Sequence, residues 1–497
     1  MSLYKINGNK IVVLSIDLIK NFKYNELIYY LSNINEIKEI LDDDNNIIKY
    51  MYKNIIINAD NYTDFIKDIN ETTIITIIIQ KLLILYSNQN AFAFINNNGN
   101  VITWGDSNGE YSSNIQSQLK NIKKIYSTSW AFAAIDNNNN VITWGDPNNG
   151  GNSINVQPQL RAWQHSNKNI IKIYSTWGAF AAINSDGNVI TWGEPTWGGD
   201  SSDVQLQLKN IKKIYSNNNT FVAINNDGNI ITWGKTSNIQ DKINNIIKVY
   251  SNYNAFAAIN NVGDVITWGD PRSGGNSSNI QDQLRAWQHC NKNIIKIYST
   301  SSAFAAINNN GDVITWGDIN YGGDSSNVQF KLKNITKIYS IWDAFAAIDN
   351  NGNIITWGNH IWCNQNKLRN WRYNTNIKKI YSTQGAFAAI NNNGDVITWG
   401  NPNSGGDSSN IQDQLKNIKK IYSTLNAFAA IDNDGNVITW GCPKSGGNSS
   451  NIQDQLKNIR KIYSTKYAFA AINNDNNIIT WGYPNCGGDS SKIKLQI

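Results

Sequence analysis

From residue 81 onward the chain repeats one order of short apolar runs and polar turns. Two runs, typified by AFAAI and VITWG, are apolar and rich in β-branched or aromatic residues, and an Asn/Asp-Gly loop separates them. That combination predicts an antiparallel hairpin. A third run, IKKIYS, precedes each hairpin and predicts another strand. The segment SSNIQDQL before it fits either a fourth strand or a single helical turn. Fifteen residues, AFAAINNNGDVITWG, occur unchanged at 303–317 and at 386–400.

The run ends in Trp-Gly ten times, with Trp104, Trp144, Trp192, Trp233, Trp268, Trp316, Trp357, Trp399, Trp440 and Trp481 spaced 35 to 48 residues apart. Periods near 40 predict a solenoid, propeller or array. A sheet of three or four short strands cannot bury its own faces, so each unit must stack on its neighbours. A Trp present in every copy is accordingly read as a packing residue. Six prolines, Pro147, Pro195, Pro271, Pro402, Pro443 and Pro484, stand two residues past the Trp-Gly and are read as turn formers. At the end of the chain, the alternation from Lys492 to Ile497 predicts a strand that completes the first unit and closes the array.

Residues 1–80 follow a different pattern. Alternation around Asn7-Gly8-Asn9 predicts a hairpin over 3–16; apolar positions at helical spacing from Leu27 to Leu41 predict a helix over 24–41; residues 47–58 and 72–79 read as strands. We therefore divide the chain into a head, 1–80, and an array, 81–497.

Composition refines this picture. The chain is 41% hydrophobic, with eighteen Trp, which predicts folded structure throughout. The head carries eight Lys against eleven Asp and Glu, net −3, leaving 35 basic against 26 acidic residues, net +9, on the array. A mildly basic body suits acidic proteins; nucleic acid is a lesser expectation. The first residues, MSLYKINGNK, lack the features of a secretory signal, and the apolar stretch 74–86 is broken by Gln80 and Lys81, so an intracellular, cytoplasmic or nuclear protein without a membrane span is expected. Four cysteines without CxxC spacing predict neither a disulfide framework nor a zinc finger.

Little in the sequence suggests chemistry. His165 and His289 lie in two copies of an RAWQH insert, which duplication explains, and no HExxH, phosphate loop or nucleophile triad is found. A noncatalytic protein with no cofactor and no metal is expected. Two groups of residues are candidates for contact with partners. One is the irregular segment NHIWCNQNKLRNWRY, where His360, Trp362, Arg369, Trp371 and Arg372 crowd together and Trp and Arg are typical interface anchors. The other is a basic band, the lysine before Ile-Tyr or Val-Tyr in nine units: Lys124, Lys172, Lys213, Lys248, Lys296, Lys337, Lys379, Lys420 and Lys461.

The order I-x-x-I-Y-S, A-F-A-A-I, D/N-G-x-V-I-T-W-G resembles the regulator of chromosome condensation repeat over about residues 81–497. This resemblance implies β-propeller blades, although the family's Gly-His pair is replaced by Ser-Thr and a variable pair, and ten units exceed the seven blades it implies. The element order of 1–80, with DFIKDINETTIITIII at 64–79, resembles the ubiquitin-like β-grasp fold. No Gly-Gly follows its last strand, which implies a docking module and not a conjugated modifier. The fold class expected is thus mainly β: a ubiquitin-like α+β head followed by a ten-repeat antiparallel propeller-like array. The function expected first is a noncatalytic protein-interaction scaffold or adaptor linked to the ubiquitin pathway. The alternatives are a regulatory propeller binding a small GTPase or chromatin, and a carbohydrate-binding propeller.

Overall fold

The computed structural model of the chain describes residues 84–96, 98–106, 115–235, 243–359 and 377–491 of the array and, in the head, Leu27 and the backbone of five strands. Two compact units are present, Met1–Ile84 and Leu85–Ile497. In the first, β1 (Ser2–Lys5), β2 (Lys10–Val13), β3 (Asn46–Tyr52), β4 (Ile55–Ile56) and β5 (Ile74–Lys81) form one sheet in the order β2-β1-β5-β3-β4. β1 runs parallel to β5 and antiparallel to β2. The helix expected over 24–41 lies, apart from Leu27, outside the described residues.

Among the described residues the second unit holds ten three-stranded antiparallel sheets, each with its strands in sequence order. In the third sheet the inner strand is Ile170–Ser175, the middle strand Ala179–Asn184 and the outer strand Val189–Gly193. SSNIQDQL forms no fourth strand. It is a 3-10 turn, as at Ser450–Gln455, and lengthens to a nine-residue α-helix where RAWQH is inserted, at Gln157–His165 and Gln281–His289. Its glutamine explains why it cannot pair as a strand: Gln205 and Gln453 donate through Nε2 to the carbonyls of Val189 and Val437 on the outer strand of the preceding sheet. That contact takes the segment across the strand's end.

The core sits between consecutive sheets. Ala179, Ala181 and Ile183 of the third sheet pack with Ile214, Phe221, Ala223 and Trp233 of the fourth, while Phe180 and Ala182 face the second sheet. Both faces of the middle strand are thus covered, which is why AFAAI shows no polar alternation. The small alanines leave room for the neighbouring phenylalanine, and Phe180, Phe221 and Phe304 are completely buried. Burying each such ring contributes about 2–3 kcal/mol. Phe221 and Trp233 form a cross-strand pair with stacked rings 5.1 Å apart, and the indole N–H of Trp233 donates to the carbonyl of Gly198, in the turn after the third sheet, at 3.1 Å.

The Pro-x-x-Gly-Gly turn supplies that acceptor. Asp146 caps the turn by accepting from Asn148 N–H, Pro147 starts it, and Gly150 ends it at φ +97°. At the equivalent Gly198, φ is +92° and a Cβ would stand 2.6 Å from Phe221. Only glycine permits both the left-handed backbone and the approach of the next ring.

Inner strands succeed one another by side-chain bonds: Ser216 Oγ donates to the Ser175 carbonyl and Ser251 Oγ to that of Ser216. The tenth sheet meets the first in the same way, with Ser87 Oγ donating to the Ser464 carbonyl at 2.8 Å and Trp104 Nε1 donating to Gly487 at 3.1 Å. The C-terminal strand expected to perform this join, 492–497, lies outside the described residues.

Candidate functional site

A repeat this regular makes its irregular positions conspicuous. Nearly every polar residue of the unit serves the scaffold. Thr176 Oγ1, for example, accepts from Ala179 N–H and donates to the Trp197 carbonyl. The exception is the pair of residues between the inner and middle strands, which differs in all ten units: Gln-Asn at 89, Ser-Trp at 129, Trp-Gly at 177, Asn-Asn at 218, Tyr-Asn at 253, Ser-Ser at 301, Trp-Asp at 342, Gln-Gly at 384, Leu-Asn at 425 and Lys-Tyr at 466. Backbone bonds join the first residues of successive pairs, except between Asn218 and Tyr253, where the row is interrupted. Ser129 N–H donates to Trp177, Trp177 to Asn218, Tyr253 to Ser301, Ser301 to Trp342, Trp342 to Gln384, Gln384 to Leu425, Leu425 to Lys466, Lys466 to Gln89 and Gln89 to Ser129, at 2.8–3.3 Å. The backbone is held in common while the side chains vary.

The result is a rim of unlike side chains at one end of the inner strands. On one side of it large and small residues alternate: Trp177, Asn218, Tyr253, Ser301, Trp342. The aromatic rings reach past the small residues and meet, Trp177 with Tyr253 at 5.9 Å and Tyr253 with Trp342 at 4.8 Å, both edge to face. Trp197, 6.3 Å from Trp177, and Trp130, 5.8 Å from Trp197, extend the row. Trp177 remains 38% exposed, unusual for a ring of its size. Burial pushes the Tyr253 hydroxyl above its usual range. A cavity of about 500 Å3 opens here, lined by Tyr253, Trp342, Gln384, Leu425 and small Ser, Thr and Asn side chains, with no charged group in its wall. Such a neutral, partly apolar wall, with Trp342 half-buried in it, is suited to seating a partner's apolar side chain.

The middle of the inner strands carries the basic band, each lysine being the third residue of its strand, as Lys172 in Ile170–Ser175. All nine lysines are exposed. In eight units the ammonium lies over the ring of the tyrosine two residues on, at 4.5–5.3 Å; Lys172 over Tyr174 and Lys461 over Tyr463 are examples. The other candidate cluster, His360, Trp362, Arg369, Trp371 and Arg372, lies outside the described residues. The ten repeat tryptophans are buried in the scaffold, away from rim and band. His165 and His289 are exposed at the ends of separate helices. Among the described residues no group of three His, Cys, Asp or Glu could hold a metal, and no helix is long and apolar enough to cross a membrane.

Sequence reasoning registered the variable pair only as a departure from a family pattern. The signal that singles it out is the failure of all ten copies to agree at one position inside an otherwise near-identical unit.

No protein-family model and no curated protein matches the chain. Solved structures similar to it include Prp20p of Saccharomyces cerevisiae, described with its binding properties to Gsp1p and histones: 16% identity, TM-score 0.30, over 48% of this chain and 72% of that one. Human WBSCR16 is 11% identical at TM-score 0.30, covering 52% and 81%. The CRINKLY WD40 ectodomain of the Arabidopsis thaliana receptor kinase ACR4 is 12% identical at TM-score 0.29, covering 56% and 95%.

Proposed function

We propose that the ten sheets form one closed, noncatalytic propeller that regulates a protein partner, of the small-GTPase or chromatin class, by binding it at the variable rim. The observation that carries this reading is the meeting of Trp177, Tyr253 and Trp342 over small neighbours, on backbone that is bonded from unit to unit on either side of them. Aromatic anchors beside a neutral cavity are the usual centre of a protein interface. The likeness of the repeat to the regulator of chromosome condensation unit supports the class of partner. In this reading the head is a ubiquitin-like docking module. Its support is the sheet order β2-β1-β5-β3-β4 with β1 parallel to β5.

The test is biolayer interferometry of the full chain against purified small GTPases, with and without nucleotide, and against histone octamers. Saturable binding that the triple variant W177A/Y253A/W342A loses supports the proposal. Absence of binding to both classes, or binding that the variant retains, rejects it.

A further inference from the structure

The basic band stands at the middle of the inner strands, below the rim. Lys172 is the third residue of its strand and Trp177 lies two residues past the strand's end, so five residues, about 16 Å of extended chain, separate them. The band has three properties that a merely solvated row of lysines would not need. First, it is ordered: in eight units the ammonium is laid over the tyrosine of its own strand. Second, it lies along the seams between units. Burial pushes the Tyr174 hydroxyl up, and the backbone N–H of Ile214 and the charge of Lys213, both from the next unit, oppose the rise. The same holds for Tyr422, with Ile462 and Lys461. Third, it is uncompensated. Among the described residues the ion pairs are Lys168–Asp186, Arg285–Asp282, and Lys292 and Lys333 with Asp312, and none includes a lysine of the band.

Nine like charges on successive strands repel one another, and a low-dielectric wall focuses their field into the space they share. Where the middle strand ends in an aspartate, as at Asp136, Asp349 and Asp432, that carboxylate serves its own hairpin loop, accepting from its N–H groups. We infer that the band is a binding site for a polyanionic ligand, and that this ligand is an acidic polypeptide segment, a run of Asp or Glu on a partner protein. Single-stranded nucleic acid fits less well, because it needs free aromatic faces on which bases stack. Here, in eight of the nine units, the tyrosine face is covered by the lysine of its own strand. An acidic peptide needs only the ammonium groups.

This site is separate from the rim and does not rest on the rim's function. The probe is a fluorescein-labelled dodecaglutamate peptide, titrated into the full chain by fluorescence anisotropy, with a labelled dodecathymidylate as comparison. Two variants remove equal charge. One takes four band lysines, K172Q/K213Q/K248Q/K296Q; the other takes four exposed lysines outside it, K120Q/K209Q/K416Q/K457Q. The band variant is expected to weaken peptide binding about tenfold or more and the outer variant less than about threefold, with the wild-type affinity falling as salt is raised. Arginine at the four band positions is expected to restore binding, which separates loss of charge from loss of folding. Equal loss in both glutamine variants, or retention in the band variant, would overturn the proposal. Tighter binding of the oligonucleotide, lost with the band, would also overturn it, in favour of nucleic acid. W177A/Y253A/W342A is expected to bind the peptide like wild type, so that failure of this inference and failure of the rim reading are told apart.

Discussion

The indole N–H of Trp104 donates to the carbonyl of Gly487, 383 residues later, at 3.1 Å. The same bond joins neighbouring units, as Trp233 to Gly198 at 3.1 Å. A Cβ on Gly487 would fall 2.5 Å from Phe92, against 2.6 Å from Phe221 for Gly198, and both residues have φ near +90°. If the last unit is joined to the first as firmly as any other pair, Gly487→Ala and Gly198→Ala should be comparably destabilising, by about 2–4 kcal/mol each from strain and overpacking. Thermal unfolding of the two variants checks this. A nearly silent Gly487→Ala would mean that the first and last units are not tightly joined.

Not every repeat tryptophan finds an acceptor. Among the described residues, Trp144, Trp268 and Trp399 have none for Nε1, and each follows a unit whose sequence lacks the Gly-Gly turn. Trp316 and Trp399 are equally buried, at 1% exposure, but Trp316 donates to Gly274. Trp316→Phe should therefore cost about 1 kcal/mol more than Trp399→Phe, the worth of one hydrogen bond. Denaturant unfolding of the pair measures the difference.

Asp312 holds two lysines, with Lys292 Nζ at 2.9 Å and Lys333 Nζ at 3.0 Å. Burial alone would raise its carboxyl, but the two lysines and Asn308 outweigh it and hold the group below the ordinary 3.8. A depressed folded-state value stabilises the protein above the unfolded value, and the gain is lost as pH falls through the folded one. Asp312→Asn should thus lower stability at pH 7 by about 1 kcal/mol. The gap from wild type should shrink as pH falls below 3.8. Thermal melts at a series of pH values check both the size and the sign.

Cysteine reactivity should follow position. Cys486 is buried beside Asn90 of the first unit, with Sγ 3.4 Å from its Oδ1, and burial is the main cause that pushes its thiol to about 11. Cys290 is exposed. Brief iodoacetamide treatment at pH 8 followed by peptide mass mapping should find Cys290 alkylated and Cys486 protected until the protein is unfolded.

The strands were legible because both faces of each middle strand meet identical neighbours, so that AFAAI and VITWG recur with little change. The turn role of the prolines was legible for the same reason. SSNIQDQL was ambiguous because its glutamine has a tertiary partner, the outer-strand valine carbonyl, that local pattern does not contain. The rim was the least legible part. Trp177, Tyr253 and Trp342 come from the third, fifth and seventh units, and their meeting depends on the side chains between them being as short as Asn218 and Ser301. That relation exists only once alternate units are brought round a common circuit.

The central claim is that the rim binds while the scaffold merely holds it, and one comparison tests it most directly. Wild type and W177A/Y253A/W342A are melted side by side and titrated with the protein partner found by interferometry. The account predicts melting midpoints within about 2 °C, because rim side chains carry little of the inter-sheet core, together with a loss of affinity of about tenfold or more. Unchanged affinity at an unchanged melting midpoint would contradict it, and would place the binding surface elsewhere on the molecule.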